Sequence, residues 1–309
     1  MTRAVVFAYH NVGVRCLKVL LAHGVRSALV ITHADHPNKQ IWFNSVAATA
    51  ADYGIPTITP DNPNTPVELQ RIRDLAPDFL FSFYYRQMLS PELLAIAPRG
   101  ALNMHGSLLP KYRGRAPVNW AIIHGESETG ATLHYMVAKP DAGDIVAQTP
   151  APILPDDTAQ EVFDKVTLAA ELTLHQALPA LIAGTAPRIV QDLAQGSYFS
   201  GRNPEDGRIN WNESAARIHN LVRAVAPPYP GAFTTVMDQP ARILRTRLIA
   251  AHTGRIPAPL LTLAGNRIIA SCTNGDALQI LALEIAGELI TPATLTMRLG
   301  PSPWRLGDS

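Results

Sequence analysis

A chain of 309 residues has room for one large domain or two smaller ones, and its 47% hydrophobic and 17% charged content is that of an ordinary packed core. A formal net charge of +1 leaves no electrostatic reason to expect nucleic acid or an anionic membrane surface as a partner. Only two cysteines occur, Cys16 and Cys272, far apart and each in an apolar setting, which reads as two buried free thiols in a reducing compartment.

The opening MTRAVVFAYH has no signal-peptide organisation, and no stretch approaches the roughly 20 apolar residues that span a bilayer, so no membrane insertion and a cytoplasmic location are expected. AVVFAY (Ala4–Tyr9) is a short continuous apolar run of the buried-strand type. NVGVRCLKVLLAHG then places Val14, Leu17, Leu20 and Leu21 at helical spacing, with Gly24 as the stop. ALVITH (Ala28–His33) repeats the strand signal, and WFNSVAATAADYG (Trp42–Gly54) repeats the helix-then-glycine signal. IPTITP, PVELQRIRDL, DFLFSF and PELLAIAP continue the pattern through residue 97. Such alternation predicts an α/β fold with a parallel sheet, helices on both faces, and ligands outside the carboxyl ends of the strands. GALNMH is the next strand, and it delivers Asn103 and His105 to that edge. Two apart on an extended chain, they share a face.

After about residue 188 the texture changes. SYFSGRNPEDGRINWN is turn-rich, and AARIHNLVRAVAPPYPG reads as one helix closed by a proline cluster. From Ala232 the runs are short (AFTTVM, ARILRTRLIA, RIIASC, ALQILALEIA) and predict a small all-β module.

No G-x-G-x-x-G follows the first strand and no G-x-x-x-x-G-K-[ST] occurs, so dinucleotide or nucleoside-triphosphate chemistry on this sheet is unsupported. HADH (His33–His36) is a lone histidine pair in a polar loop, and no metal is expected there. A lone histidine at a strand end is more often structural than catalytic. His105 has a richer setting. The loop after it carries Lys111, Arg113 and Arg115, and KPDAGDIVAQ places Asp141 and Asp144 in a second glycine-bearing turn. Either acid beside His105 would favour the imidazolium and raise its pKa. The amide of Asn103 would donate to an oxyanion. A donor, an acid/base and an acidic partner form the minimum kit for acyl transfer to an amine.

The stretch LNMHGSLLPKYRGRAPVNWAIIHGESETGATLHYMVAKPDAGDIVAQ, with Asn-x-His, Ser-Leu-Leu-Pro, and Asp-x-Gly beginning 36 residues after the histidine, resembles the signature of formyltransferases that use 10-formyltetrahydrofolate. The resemblance runs from VVFAYHNVG through FSFYYRQML to RNPEDGRINW and VRAVAPPYPGAF, and so covers most of the chain. Within that superfamily the chain is most similar to the enzymes that formylate UDP-4-amino-4-deoxy-L-arabinose in lipid A modification, the basis of polymyxin resistance.

This resemblance implies a Rossmann-like formyltransferase domain over residues 1–203 and a smaller OB-like β-barrel domain over 204–309. It makes His105 the acid/base, Asn103 the stabiliser of the tetrahedral intermediate and Asp141 the group tuning the histidine. It places the folate at Gln87, Met88 and Leu89, at Arg115, and at Val137, Ala138, Lys139, Pro140 and Asp141, largely through main-chain hydrogen bonds. The implied co-substrate is 10-formyltetrahydrofolate, with no metal. The implied partner is a small sugar nucleotide. Ser107 fits the motif as a loop residue. Relatives of the best-known kind carry an NAD-dependent decarboxylase half as well. This chain ends at Ser309, and that activity is expected to be absent. Asp144 is expected to be a turn residue or cap, and Pro204–Gly207 (PEDG) reads as an ordinary turn, while the resemblance brings its segment near the acceptor and offers Arg202 as a contact to a substrate phosphate. Arg245 and Arg247 are expected on a solvated strand face.

The rival acceptor is nucleic acid, as in methionyl-tRNA formyltransferases. Affinity for tRNA rests largely on neutralised phosphates, supplied in part in that family by a basic loop after the second strand. Here that stretch, His33–Ser45, has one lysine, one aspartate and no arginine. From Asn203 onward ten arginines and no lysine face eight acids. A catalytically silent folate-binding module would have lost the Asn–His–Asp set, which is intact. The sequence leaves oligomeric state open.

Overall fold

The apolar run at the N-terminus starts the sheet: β1 (Arg3–Ala8) is buried almost throughout, and α1 (His10–Ala22) follows one residue later. A computed structural model of the chain describes residues 1–34, 41–252 and 254–307. By its contacts the chain divides into two units, one of Met1–Pro117, Glu128–Pro152 and Asp164–Ser200, the other of Val118–Ser127, Ile153–Phe163 and Gly201–Ser309.

The first unit is built on a seven-stranded sheet in the order β3-β2-β1-β4-β5-β7-β8. Its members include β2 (Arg26–Ile31), β3 (Thr57–Ile58), β4 (Phe79–Phe83) and β5 (Ala101–His105), all parallel to β1. Three linking helices start where the sequence supplies side-chain caps. Ser45 Oγ accepts from the Ala48 amide at α2 (Val46–Asp52), and Thr65 Oγ1 accepts from Glu68 at α3 (Pro66–Asp74). Ser90 Oγ accepts from Leu93 at α4 (Pro91–Leu94), and α3 and α4 each begin with a proline, whose missing N–H costs nothing there. Strand order reverses between β1 and β4, which makes the carboxyl ends of those strands and of β5 the ligand edge.

The sheet is mixed, which the alternating pattern did not foresee. After the two-residue β6 (Arg113–Gly114) and α5 (Pro117–Ile123), β7 (Glu128–Tyr135) returns antiparallel to β5, and β8 (Ile145–Pro152) runs antiparallel to β7. From Ala147 to Pro150, β8 alternates half-buried and exposed residues, as an antiparallel edge strand with one wet face does, and it carries Pro150 and Pro152.

The 25-residue helix α6 (Ala159–Ala183) departs from the expectation that no stretch approaches membrane-spanning length. By length and composition it is apolar enough to cross a bilayer, with a window of mean hydropathy 1.3, but half of that window is buried inside the protein. Val166, Ala170, Thr173, Leu174, Leu178 and Leu181 recur at helical spacing and are nearly solvent-free, which is the stripe of a core helix. Cys16 and Cys272 are both buried and free.

Beyond β9 (Tyr198–Phe199), the second unit holds α7 (Ala215–Ala224), capped by Ser214, and an antiparallel sheet. Its strands are β10 (Ala232–Val236), β11 (Gln239–His252), β12 (Leu260–Ala264), β13 (Arg267–Ser271), β14 (Asp276–Ile285), the short β15 (Glu288–Ile290) and, after α8 (Pro292–Leu299), β16 (Trp304–Arg305). The path β10-β11-β14-β13-β12-β16 almost closes on itself, because Val236 at the end of β10 bridges Leu306. The Met237 amide also donates to Arg305 O at 3.0 Å. Trp211, Ile243, Leu261, Leu278, Leu295 and Trp304 fill this barrel, and α7 packs against β11 and β14. Arg245 and Arg247 are exposed on β11.

Candidate active site

Asn103 and His105 stand on β5, and the register sets what they meet. Asn103 lies opposite Ser82 of β4 and His134 of β7, and His105 lies opposite Thr132. Asp141 arrives from the loop after β7 with a positive φ of 50°. Its Oδ1 sits 3.6 Å from His105 Nδ1, 3.5 Å from Asn103 Nδ2 and 3.5 Å from His134 Nε2. Its Oδ2 accepts the Gly114 amide at 2.9 Å. The expected set therefore converges on one carboxylate.

Each histidine has one nitrogen fixed by a carbonyl, which can only accept. His105 Nε2–H donates to Tyr112 O at 2.8 Å, so Nδ1 is the ring nitrogen left facing Asp141. His134 Nδ1–H donates to Tyr135 O at 2.9 Å. His134 Nε2, 3.1 Å from Asn103 Nδ2, accepts from that amide when neutral and donates to Asp141 when protonated. His105 and His134 are both buried, at 6% and 1% exposure.

Burial by itself would raise the Asp141 carboxyl's pKa. The adjoining His105, the hydrogen bond and charge of His134 and the Gly114 amide outweigh it and hold the group well below the usual carboxylate range. Asp141 is therefore the anion of the cluster. Positive-φ backbone recurs at Tyr112 (57°), whose carbonyl holds His105, and at Tyr84 (58°), just after β4, as expected where loops are held in costly shapes around a site.

Ser107 shapes the loop between β5 and β6. Its Oγ donates to Lys111 O at 2.7 Å, and its carbonyl accepts from Thr132 Oγ1 at 2.6 Å. The cations of that loop diverge: Lys111 and Arg115 are exposed while Arg113 is buried. Val137, Ala138 and Lys139 are exposed and run into half-buried Pro140 and Asp141. Gln87, Met88 and Leu89 follow β4 at the same edge. The Gln87 amide is committed to Asp61 O at 2.8 Å and the Leu89 side chain to the core, while Met88 is 59% exposed. The Asp144 carbonyl accepts the Tyr135 amide at 2.9 Å. Arg202 belongs to the second unit, where it donates to Asp206 O and stacks over Trp120.

The sequence reading missed His134 and an aromatic group at the switch point. There Tyr9, His33 and Tyr85 follow β1, β2 and β4, with His33 stacked on Tyr85 at 4.2 Å and Arg86 over the Tyr9 ring at 4.5 Å. His10 packs on Phe43 beside them, and burial, with Arg86, pushes its pKa down to about 4. The switch-point rule was the one signal that pointed there. In the HADH pair, His33 Nε2 accepts the Arg86 amide, while His36 lies outside the described residues, as do Asp35 and Lys39 of the loop weighed against tRNA. Among the described residues no group of three or more metal-ligating side chains occurs.

Residues 15–178 match the family model described as formyl transferase, and residues 202–298 match its C-terminal domain. The chain belongs to the formyl transferase family. Asn103, His105 and Asp141 all fall within the first match, on the Rossmann-like domain of this formyltransferase, and the nearly closed barrel carries the second. Among solved structures, the fold is similar to an N-formyltransferase from Helicobacter canadensis in complex with folinic acid and dTDP-3-aminofucose. That match has a TM-score of 0.69 at 21% identity and covers 91% of this chain and 99% of that one. It is equally similar to WlaRD, a sugar 3N-formyltransferase solved with dTDP and 5-N-formyl-THF, with a TM-score of 0.70, 21% identity, and coverage of 94% and 99%. HypX from Aquifex aeolicus in complex with tetrahydrofolic acid matches at TM-score 0.63 and 17% identity, over 95% of this formyltransferase and 46% of HypX.

Proposed function

We propose that this formyltransferase moves a formyl group from 10-formyltetrahydrofolate to the amine of a nucleotide-linked amino sugar, with UDP-4-amino-4-deoxy-L-arabinose as the first acceptor to test. The observation that carries the reading is the convergence of Asn103, His105 and His134 on the Asp141 carboxylate at the carboxyl end of β5. The likeness to sugar N-formyltransferases solved with dTDP-linked ligands, and a net charge of only +1, support a sugar nucleotide over tRNA. We place the boundary between the catalytic and barrel domains at 203/204 and the enzyme in the cytoplasm.

The folate supplies a formyl group already activated as an amide. The residues present fit it through main chain rather than side chain. The exposed Val137–Lys139 loop offers peptide groups to the donors and acceptors along a pterin edge, and Met88, after β4, offers exposed apolar surface. Arg115 lies exposed one residue from the Gly114 amide that holds Asp141.

In the transfer, the neutral amine attacks the formyl carbon, negative charge collects on the formyl oxygen, and Asn103 donates to it. Both amide hydrogens of Asn103 face His134 and Asp141, so the side chain must exchange one of these partners for the substrate oxygen. His105 takes the amine's surplus proton at Nδ1 and returns it to the folate nitrogen as the carbon–nitrogen bond breaks. Asp141 offsets the imidazolium charge while it lasts.

The test is a formyl-transfer assay with 10-formyltetrahydrofolate against UDP-, dTDP- and GDP-linked amino sugars and charged initiator tRNA. Turnover of an amino sugar nucleotide, with methionyl-tRNA left unmodified, supports the reading. Efficient turnover of methionyl-tRNA alone would replace it with the tRNA reading.

A further inference from the structure

We propose that the segment Ile189–Phe199 is a strap that positions the catalytic cluster, with Gln191 and Ser197 as its positioning residues. The inference rests on the reading of Asn103, His105 and Asp141 given above and adds what holds them at working distance.

Gln191 is 8% exposed. Its Nε2 donates to Gly143 O at 2.6 Å and to Asp141 O at 3.1 Å, which uses both hydrogens of the carboxamide. These two carbonyls bracket the turn that presents the Asp141 carboxylate. That turn needs holding, since Asp141 has a positive φ, and a Cβ at Gly143 would lie 2.0 Å from Tyr135 O. Gln191 Oε1, by contrast, is buried with no hydrogen-bond partner among the described residues. An apolar side chain of similar volume would fill the space without that penalty, so packing alone does not account for a glutamine here.

The other end of the strap grips the loop between β5 and β6. Ser197 Oγ accepts the Tyr112 amide at 2.9 Å, Ser197 O accepts the Arg113 amide at 3.0 Å, and Phe199 O accepts the Arg115 amide at 3.0 Å. Those peptides carry the two main-chain groups that orient the cluster, namely Tyr112 O on His105 Nε2 and the Gly114 amide on Asp141 Oδ2. The Tyr112 and Phe199 rings stack at 5.5 Å. The strap is tied to the sheet by Ile189, which exchanges two hydrogen bonds with Ile145 at 2.8 and 2.9 Å. One segment therefore sets both loops, and with them the separation of His105 Nδ1 from Asp141 Oδ1.

The experiment compares Gln191→Leu and Gln191→Glu with wild type in the full chain. It reads kcat, KM for the acceptor, and the ¹³C titration of the Asp141 carboxyl. An ångström of misplacement costs up to about 10²-fold, so Gln191→Leu should lower kcat by about 10- to 100-fold while KM stays within about threefold. The Asp141 carboxyl should titrate closer to the ordinary carboxylate range than in wild type. Gln191→Glu keeps the size and can donate one hydrogen bond only while protonated, so its kcat relative to wild type should fall as pH rises. Wild-type kcat together with an unmoved Asp141 titration in Gln191→Leu would overturn the strap. If that variant does not fold, a kcat ratio for Gln191→Glu that is flat with pH overturns it instead. If wild type formylates no amino sugar at all, the acceptor reading fails, and the Asp141 titration alone still decides the strap.

Discussion

His105 Nδ1 and Asp141 Oδ1 lie 3.6 Å apart, too far for a hydrogen bond and near enough for full electrostatic attraction between charges. Because Nε2–H is spent on Tyr112 O, Nδ1 is the ring nitrogen left facing Asp141. In the transfer proposed above, the anion offsets the charge of the protonated ring without sharing its proton, which leaves that proton to the reacting nitrogens.

Replacing Asn103 by alanine removes the donor proposed for the developing oxyanion. Turnover should fall by about 10²–10³, the usual scale for one such donor. Steady-state kinetics with a circular-dichroism control measure it. An unchanged kcat in a folded variant would remove Asn103 from the mechanism.

Asp141 also makes a prediction about stability. Its carboxyl is depressed in the folded protein, so its contribution is fully present above the unfolded value of about 4 and is lost as pH falls through the folded one. Asp141→Asn should therefore be less stable than wild type at pH 6, and the gap should narrow below about pH 4. Urea midpoints at pH 6 and pH 3 check the sign.

Gly114 has φ 95°, and a Cβ there would lie 2.1 Å from Phe199 O, across the β6–β9 pairing. Gly114→Ala should break that pairing and pull the Gly114 amide from Asp141 Oδ2, costing at least about 1–3 kcal/mol of stability. Thermal unfolding and kcat should fall together. A variant with wild-type stability and rate would show that the loop tolerates the shift.

Asn103, His105 and Asp141 were legible because a strand of period two and a long spaced motif both survive in one dimension. His134 was not. Its role depends on β7 returning antiparallel to β5 so that it lies opposite Asn103, a register that strand–helix alternation does not announce. Gln191 was invisible for a similar reason, since its contacts are with carbonyls 48 and 50 residues away and carry no residue signature. In the barrel, the two-residue β16 is too short for a periodic signal, although it completes the sheet path. The length of α6 was hidden by Pro179 inside it.

The measurement that bears most directly on the account is the turnover of His105→Ala under saturating 10-formyltetrahydrofolate and amino sugar nucleotide. The account predicts a folded protein whose kcat is lower by about 10²–10⁴, the scale of a lost general acid/base. Turnover near that of wild type would mean that the histidine beside Asp141 is structural, and the proton path through Nδ1 would be wrong.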